Sequence, residues 1–327
     1  MSKITVLGAG GFGIALAVHS HACGHDVTIW TPFEDEAKLL IEERTNEKLL
    51  SGIFIPETIA VTTDMSVVEG SDITILAVPS KAVRTVAKSL SVYKRPGVIV
   101  NVSKGIEKDT FLRMSEVIEQ EIPTARIVVL SGPSHAEEVA RRIPTSIVAA
   151  SKSLLAATIV QTELSNEYFR IYTSDDMIGV ELGGALKNAI AICAGICDGL
   201  KLGDNSKAAL ITRGLSEMAK LGVKMGAKEK TFAGLTGIGD LVVTCTSRHS
   251  RNNRFGYLVG SGTDVKTALE TVGTVEGYYA TYVGYQLAQK YEVSMPIIEI
   301  CYGVLYEGQP TDTVVKRLML RPKGSEN

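Results

Sequence analysis

Residues 4–30, ITVLGAGGFGIALAVHSHACGHDVTIW, decide the fold of the first half of the chain. Residues 4–7 and 26–30 are short apolar runs typical of buried strands, and residues 11–23 between them have the spacing of a helix. Gly24 suits the C-terminal cap of this helix. Strand, helix and strand in this order predict one βαβ unit of a parallel sheet.

The turn between the first strand and the helix, residues 8–13, reads GAGGFG and matches the pattern G-x-G-x-x-G. In this pattern the first glycine permits a tight turn, the second lets a pyrophosphate approach, and the third lets helix and strand pack closely. The pyrophosphate would lie on N–H groups at the helix N-terminus. The turn therefore predicts a dinucleotide site, and a purely structural turn is the alternative. Its candidate cofactor-binding residues are Gly8, Gly10, Gly11, Phe12 and Gly13.

The second strand is followed by TPFEDE at residues 31–36, the position where such domains distinguish NAD from NADP. No Arg or Lys occurs here before Lys38, and the carboxylates that follow Phe33 would repel a 2′-phosphate. NAD is therefore favoured over NADP. Phe33 either flanks the adenine of the cofactor or packs against the first helix.

The chain changes character near residue 178. Before it, apolar strand-like runs alternate with helical stretches, as parallel strands covered on both faces require. After it, helical periodicity dominates. We predict an α/β fold, with a doubly wound Rossmann-type N-terminal domain at residues 1–178 and an all-helical C-terminal domain at residues 179–327. The remaining predicted strands are residues 59–62, 72–78, 98–102, 126–130, 146–150 and 169–172, and the predicted helices of the second half are residues 180–200, 206–225, 264–269, 275–291, 296–306 and 311–320.

The composition excludes several classes of ligand. Lys and Arg total 34 against 36 Asp and Glu, so the net charge of −2 gives no general attraction for nucleic acid or an anionic membrane. The 5 cysteines have no CxxC spacing, which predicts neither a disulfide framework nor a metal site and favours a reducing compartment. No apolar run approaches the ~18 residues that span a bilayer. We therefore expect a cytoplasmic protein without metal or membrane insertion.

Polar motifs follow three of the predicted strands: AVPS at residues 77–80, SKGIE at 103–107 and SGPSHAEE at 131–138. Ligands of open α/β sheets bind beyond the carboxyl ends of the strands, so we expect the three motifs to share one edge. Lys104 would place a cation beside the nicotinamide. The candidate backbone and hydroxyl donors are Gly132, Ser134 and Ala136.

Lys187 lies in ELGGALKN, residues 181–188, on a helical stripe of Gly and Ala that continues through Ala191 and Ala194. The two glycines cost the helix about 1–2 kcal/mol, which favours a functional reason for them. A flat ligand could approach a lysine on such a stripe. Tight helix packing, with Lys187 reaching out to solvent, is the alternative.

Two further segments of the second half carry polar chemistry. Asp240 ends a glycine-rich stretch, residues 234–241, that is expected to be a flexible loop and could pair Asp240 with a lysine. The next segment, TCTSRHSRNNR at residues 244–254, combines hydroxyls, amides and three arginines, including Arg248. Because Arg binds phosphate oxygens bidentately, this segment predicts a phosphate cradle, with a solvated basic loop as the alternative.

Taken together, the motifs make the chain similar to soluble, bacterial-type NAD(P)-dependent glycerol-3-phosphate dehydrogenases. The resemblance extends from Gly8 to Glu276 and rests on GAGGFGIALA, AVPS, SKGIE, SGPSHAEEV, ELGGALKN, GDNSKAAL, GLTGIGDL, TCTSRHSRN and VEG, in that order. It implies hydride transfer between NAD(P)H and dihydroxyacetone phosphate, which gives sn-glycerol 3-phosphate for phospholipid synthesis. It also implies a homodimer.

Carried over residue by residue, the resemblance makes Lys187 the catalytic acid/base. The substrate-binding residues that it implies are Lys104, Gly132, Ser134, Lys187, Asp240, Ser250, Arg251 and Asn252. The further cofactor-binding residues are Phe33, Lys104, Ala136, Arg251, Thr274 and Glu276. Pro32-Phe33 stands where the bacterial pattern has His-Arg, which again favours NAD.

Two alternatives share the dinucleotide site. The first is a dehydrogenase of the same architecture that acts on a phosphate-free substrate, such as a β-hydroxy acid or ketopantoate, and would leave Arg251 without a role. The second is a non-catalytic dinucleotide sensor, which would need the glycine turn but not Lys187.

Overall fold

The structure is a computed structural model that describes residues 1–93, 97–247, 249–320 and 322. The chain forms two compact units, Met1–Glu181 and Leu182–Asn327. The first is a sheet covered by helices, and in the described residues of the second the regular structure is helical. This architecture confirms the predicted fold class. The domain limits given above, 1–178 and 179–327, stay a prediction.

Within the described residues, the first unit contains one sheet of 8 strands in the order β3-β2-β1-β4-β5-β6-β7-β8. The strands are β1 (Lys3–Leu7), β2 (Asp26–Trp30), β3 (Ala60–Thr62), β4 (Ile73–Leu76), β5 (Val98–Asn101), β6 (Arg126–Ser131), β7 (Thr145–Ala150) and β8 (Phe169–Ser174). The first six run parallel, in the strand order of doubly wound dinucleotide-binding domains. Each predicted strand is present.

The prediction of a parallel sheet is wrong for one pair of strands, because β7 runs antiparallel to β6. The connection between them contains a single short helix, α5 (Ala136–Ala140). At about 1.5 Å per residue this helix is too short to carry the chain back along β6 for a parallel crossover. Residues 131–138 therefore stay at the carboxyl edge of the parallel strands.

Helices cover both faces of the sheet. Besides α5, the helices of this unit are α1 (Gly11–Ala22), α2 (Glu34–Glu43), α3 (Val83–Leu90), α4 (Met114–Glu121) and α6 (Leu154–Leu164), with 3₁₀ turns at Met65–Val68 and Ser80–Ala82. Ile4 and Val6 of β1 join the core cluster that contains residues of α1 and α6. Leu7 joins the cluster that contains residues of α3 and α4. Because alternate residues face opposite sides, strands buried on both sides are apolar throughout.

The second unit is helical. Its helices are α7 (Met177–Gly199, which begins in the first unit), α8 (Asp204–Lys224), α9 (Glu229–Phe232), α10 (Asp240–Thr246), α11 (Arg251–Gly260), α12 (Val265–Val272), α13 (Glu276–Lys290), α14 (Pro296–Glu307) and α15 (Thr311–Met319), with a π-helical turn at Leu235–Gly239. The six predicted helices are confirmed. The stretch expected to be a flexible loop, residues 234–241, is instead a π-helical turn followed by the start of α10, where Leu241 provides a buried apolar position.

Helix α7 corrects the expectation that no apolar run is long enough to cross a membrane. By length and composition this 23-residue helix could do so, and 94% of its most apolar window is buried. A core helix passes the same test as a membrane span, and burial inside the protein accounts for the apolar character of α7.

Candidate active site

The glycine turn brings main-chain segments closer together than side chains would allow. Gly8 has φ +116°, and a Cβ there would lie 2.6 Å from the main-chain oxygen of Ala77. A Cβ at Gly13 would clash with the carbonyl of Gly8, so helix α1 and strand β1 approach more closely than any side chain allows. A Cβ at Gly10, by contrast, would meet open space, and no side chain caps α1 there. The start of α1 therefore has both open space at Gly10 and main-chain N–H groups that can donate to an anion.

The segment after β2 presents an aromatic ring and carboxylates. Phe33 is 65% exposed, which argues against the alternative that it packs against the first helix. Glu34 accepts a hydrogen bond from the Thr63 hydroxyl at 2.9 Å, and Glu36 accepts one from Thr31. Both carboxylates belong to the first turn of α2, so the end of β2 carries negative charge.

Hydrogen bonds bring the three polar motifs together at the carboxyl edge of the sheet. Ser103 Oγ donates to the main-chain oxygen of Val78 at 2.5 Å. Lys104 Nζ donates to the main-chain oxygen of Gly132 at 2.9 Å, and Ser134 Oγ donates to the same oxygen at 3.0 Å. Gly132 has φ +143° and lies against β7, where a Cβ would come within 3.0 Å of the Ile147 Cα. The predicted juxtaposition of these motifs is confirmed.

Ala136 lies beside the glycine turn. Ala136 begins helix α5. A Cβ built at Gly11 would lie 3.9 Å from the Cβ of Ala136. The same built atom would lie 2.8 Å from the main-chain oxygen of Leu49, so the chain after α2 also borders the turn. Leu49 was not predicted to border the turn, because nothing in the local pattern around it refers to a ligand.

In the second unit, Lys187 is buried and held by two acceptors. Its Nζ donates to the Asp240 carboxylate and, at 2.7 Å, to the Thr244 hydroxyl. Thr244 in turn donates to the main-chain oxygen of Asp240 at 2.6 Å. Lys187 is only 5% exposed, so it does not reach out to solvent. The structure thus contains the Lys187–Asp240 pair that the sequence suggested, with Asp240 at the start of a helix rather than in a flexible loop.

The small residues around Lys187 serve helix packing. A Cβ at Gly183 would lie 2.5 Å from the main-chain oxygen of Thr236, so the π-helical turn sits directly on α7. Ala191 and Ala194 are fully buried. The stripe therefore does not offer the open surface for a flat ligand that we expected, because neighbouring protein segments already cover it.

The described residues of the predicted phosphate cradle, 244–254, extend from the end of α10 to the first turn of α11. Ser250 is buried and caps the helix by accepting a hydrogen bond from the Asn253 N–H at 3.2 Å. Arg251 is the first residue of the helix and its side chain is exposed. A cation at a helix N-terminus opposes the helix dipole, and a bound anion would relieve that conflict. Arg248, also expected in the cradle, lies outside the described residues.

Asn252 connects three helices. Its amide nitrogen donates to Asn188 Oδ1 at 2.9 Å, and its amide oxygen accepts from the Gly277 N–H at 2.9 Å. Helices α7, α11 and α13 therefore meet next to Lys187. Half-buried Glu276 begins α13 directly before Gly277, the residue that Asn252 contacts, and exposed Thr274 precedes Glu276.

Matches to known proteins cover nearly the whole chain. The profile of the NAD-dependent glycerol-3-phosphate dehydrogenase N-terminus matches residues 3–157, and that of its C-terminus matches residues 176–316. The glycerol-3-phosphate dehydrogenase (NAD(P)+) of Bacillus pumilus is 52% identical over 100% of this chain and 96% of its own length. The enzyme of the same name from Desulfitobacterium hafniense is 48% identical over 100% of this chain and 93% of its own length.

The chain belongs to the NAD-dependent glycerol-3-phosphate dehydrogenase family. A crystal structure of glycerol-3-phosphate dehydrogenase from Coxiella burnetii has a TM-score of 0.94 and 38% identity, and the match covers 98% of this chain and 99% of that one. The resemblance seen in the sequence motifs is confirmed. Family membership also sets aside the alternatives of a phosphate-free substrate and a non-catalytic sensor.

Two residues of the Lys187 cluster were not assigned a role from sequence. Asn188 follows Lys187 directly and holds Asn252, while Thr244 lies one helical turn after Asp240 and contacts Lys187. The helical spacing of Asp240 and Thr244 would have indicated a shared face if residues 240–246 had been recognised as a helix.

The Lys187 cluster has the chemistry of a candidate proton donor. Within the residues that the structure describes, no group of three or more His, Cys, Asp or Glu side chains could hold a metal ion. A buried ammonium that donates to a carboxylate can deliver a proton to a substrate oxygen. The first unit thus has main-chain donors that suit a dinucleotide, and the second has a buried lysine that is the candidate acid/base group.

Proposed function

We propose that the chain catalyses reversible hydride transfer between NAD(P)H and dihydroxyacetone phosphate, which yields sn-glycerol 3-phosphate for phospholipid synthesis. The observation that carries this proposal is the buried Lys187–Asp240–Thr244 cluster in a chain of this family. A lysine with so little exposure is stable only beside acceptors, and these acceptors also fix the direction in which its proton points.

The bound nicotinamide supplies the hydride. Negative charge then develops on the carbonyl oxygen of the ketone, and Lys187 gives that oxygen a proton. Lys104 holds the same oxygen by donating a hydrogen bond to it and stabilises its charge. Asp240 and Thr244 orient the Lys187 ammonium. In the reverse direction Lys187 accepts the proton of the hydroxyl group.

The phosphate of the substrate binds at the start of α11. Arg251 donates to its oxygens, and the dipole of the ten-residue helix adds attraction for an anion. Asn252 contributes its remaining N–H, because the rest of its amide is engaged by Asn188 and Gly277. The full set of proposed substrate-binding residues is Lys104, Gly132, Ser134, Lys187, Asp240, Ser250, Arg251 and Asn252.

The cofactor binds along the glycine turn, and the proposed contacts beyond that turn are Phe33, Lys104, Ala136, Arg251, Thr274 and Glu276. NAD is preferred over NADP. Two observations support this preference: Glu34 and Glu36 keep negative charge at the end of β2, and no cation precedes Lys38 after that strand. A 2′-phosphate would meet repulsion there without a compensating arginine.

The enzyme acts as a homodimer in the cytoplasm. The dimer follows from family resemblance, and light scattering of the purified protein would measure it directly. The compartment is supported by the cysteines, since each of the five is a free thiol in the structure.

The test of this function is the oxidation of NADH, and separately of NADPH, in the presence of dihydroxyacetone phosphate. We expect rapid loss of the reduced-nicotinamide absorbance and a higher kcat/KM with NADH. Lys187→Ala should lower turnover by roughly 10²–10⁴-fold and leave the Kd for NADH unchanged. Near-normal turnover of a folded Lys187→Ala protein would remove Lys187 from the mechanism. Equal rates with NADPH would refute the preference for NAD.

A further inference from the structure

We propose that the ion pair between Arg84 and Glu107 positions Lys104 for the reaction. This inference rests on the role given to Lys104 in the proposed function. It makes Glu107 a positioning residue, because Glu107 acts on the substrate through the loop that carries Lys104 and not by contact.

Residues 103–113, here called the Lys104 loop, form a compact structure between β5 and α4. The Glu107 N–H donates to the main-chain oxygen of Leu112, and the Phe111 N–H donates to that of Glu107, both at 2.9 Å. An isolated antiparallel bridge joins Ile106 to Arg113. Phe111 has φ +60°, an uncommon conformation for a residue other than glycine. The loop is therefore folded on itself and held together by its own main-chain hydrogen bonds.

Arg84 of helix α3 binds the middle of this loop. Its Nε and Nη2 donate to the two carboxylate oxygens of Glu107, each at 2.7 Å, in the bidentate geometry that gives the strongest guanidinium pairs. Thr110 adds a third hydrogen bond to Glu107 at 2.5 Å. Arg84 lowers the pKa of the Glu107 carboxyl, so this side chain is charged at neutral pH.

The tip of the Lys104 side chain is held by the main-chain carbonyl of Gly132. Lys104 Nζ donates to the Gly132 main-chain oxygen at 2.9 Å, and Gly132 is pressed against β7. The direction of the Lys104 side chain is therefore set by two supports, the Gly132 oxygen at its tip and the loop at its base. Ile106 is the buried apolar anchor of the loop, whereas residues 108–110 are exposed. Glu107 thus supplies the charged attachment at the middle of the loop, whereas Arg113 at its end is buried and pairs with Glu116 and Glu181.

The structure offers a matched control for this proposal. Arg84 Nη1 also donates to Glu121 at 2.7 Å, and the side chains of Glu107 and Glu121 are both 21% exposed. Glu121 belongs to α4 and not to the Lys104 loop. Glu107→Gln and Glu121→Gln therefore remove similar charges from the same arginine, but only the first loosens the loop.

The experiment compares these two variants in the NADH assay. We expect Glu107→Gln to lower kcat with dihydroxyacetone phosphate roughly 10-fold, because a small displacement of a catalytic group has a large effect on rate. The Kd for NADH should not change. Glu121→Gln should stay within about twofold of the wild-type kcat, since an ion pair at the surface contributes little by itself. Equal losses of kcat in the two variants would overturn the proposal and leave Arg84 a purely structural residue.

Lys104→Ala separates this inference from the proposed function. In that background Glu107→Gln should cause no further fall in kcat, because its effect passes through Lys104. If Lys104→Ala turns over normally, the role of Lys104 is wrong and the inference falls with it. If Lys104→Ala is slow but Glu107→Gln is normal, the inference alone is wrong. Should Glu107→Gln not fold, Glu107→Asp takes its place in the same comparison. The aspartate keeps the charge but has a shorter reach to Arg84, so kcat should again fall.

Discussion

At the scale of single residues, the unusual feature is a lysine buried to 5% exposure in the middle of an apolar helix. A buried ammonium is strongly unfavourable without partners, and here Asp240 and Thr244 provide them from the same helix, α10. Thr244 is useful because its hydroxyl accepts from Lys187 while it donates to the main chain. The geometry of the Lys187 ammonium therefore depends on an uncharged residue as well as on the carboxylate.

Thr244→Val should lower kcat about 10-fold, because the Lys187 ammonium loses one of its acceptors in a buried site. Thr246→Val is the control: Thr246 also donates to a carbonyl four residues earlier, at 2.8 Å, but is exposed and lies outside the Lys187 cluster. Steady-state kinetics of the two variants check this prediction. A normal kcat for Thr244→Val would mean that Asp240 alone orients the lysine.

At the scale of helices and strands, α14 begins with a cap from another helix. Its own N-cap residue, Met295, provides no side-chain hydrogen bond. The buried carboxylate of Glu217, on α8, accepts from the Ile297 N–H at 2.8 Å and from the Ile298 N–H at 3.3 Å. A negative charge at this end of a helix also interacts favourably with its dipole. One side chain therefore both caps α14 and joins it to α8.

Glu217→Ala should destabilise the second unit by about 2 kcal/mol, since it leaves buried N–H groups without an acceptor. Amide hydrogen exchange at Ile297 and Ile298 should become faster, and the Tm should fall. Asp264→Ala provides the comparison. Asp264 caps α12 by accepting a hydrogen bond from the Thr267 N–H at 3.0 Å, but it is exposed, so water can replace its carboxylate. The prediction fails if the Asp264 variant loses as much stability as the Glu217 variant.

At the scale of the whole molecule, the reactivity of each cysteine depends on how deeply the folded units bury its thiol. Cys193, Cys245 and Cys301 are buried, whereas Cys23 and Cys197 are half-buried. Burial raises the pKa of Cys197 to about 11 and that of Cys245 to about 12. Because the thiolate is the reactive form, these thiols should be inert at neutral pH as long as the protein is folded.

Titration with a thiol-reactive disulfide tests this distribution. The native protein should show slow reaction, confined to Cys23 and Cys197, and all five thiols should react once guanidinium unfolds the chain. Five reactive thiols should also be found in the unfolded protein when no reductant has been added beforehand. Fewer than five thiols in the unfolded, unreduced protein would reveal a disulfide, and rapid reaction of the native protein would contradict the burial of the three thiols.

Much of the fold was accessible from local patterns. The eight strands and the six long helices were predicted because apolar periodicity repeats within each element. The flexible loop predicted at residues 234–241 was wrong, because the glycines there were taken as signs of flexibility. Gly237 instead lies against the main chain of Phe232, in space where a Cβ would clash, so its small size serves close packing.

The sequence by itself determined the dinucleotide turn, the change from α/β to helical structure, the family and the candidate residues, because each of these is written in neighbouring residues and their spacing. Tertiary structure alone decided the antiparallel β7, the Thr244 acceptor of Lys187, the Glu217 cap and the attachment of the Lys104 loop by Arg84. Each of these depends on a contact between segments far apart in the chain. Such contacts are selected by packing and by the need to pair buried polar groups, and no local pattern specifies them.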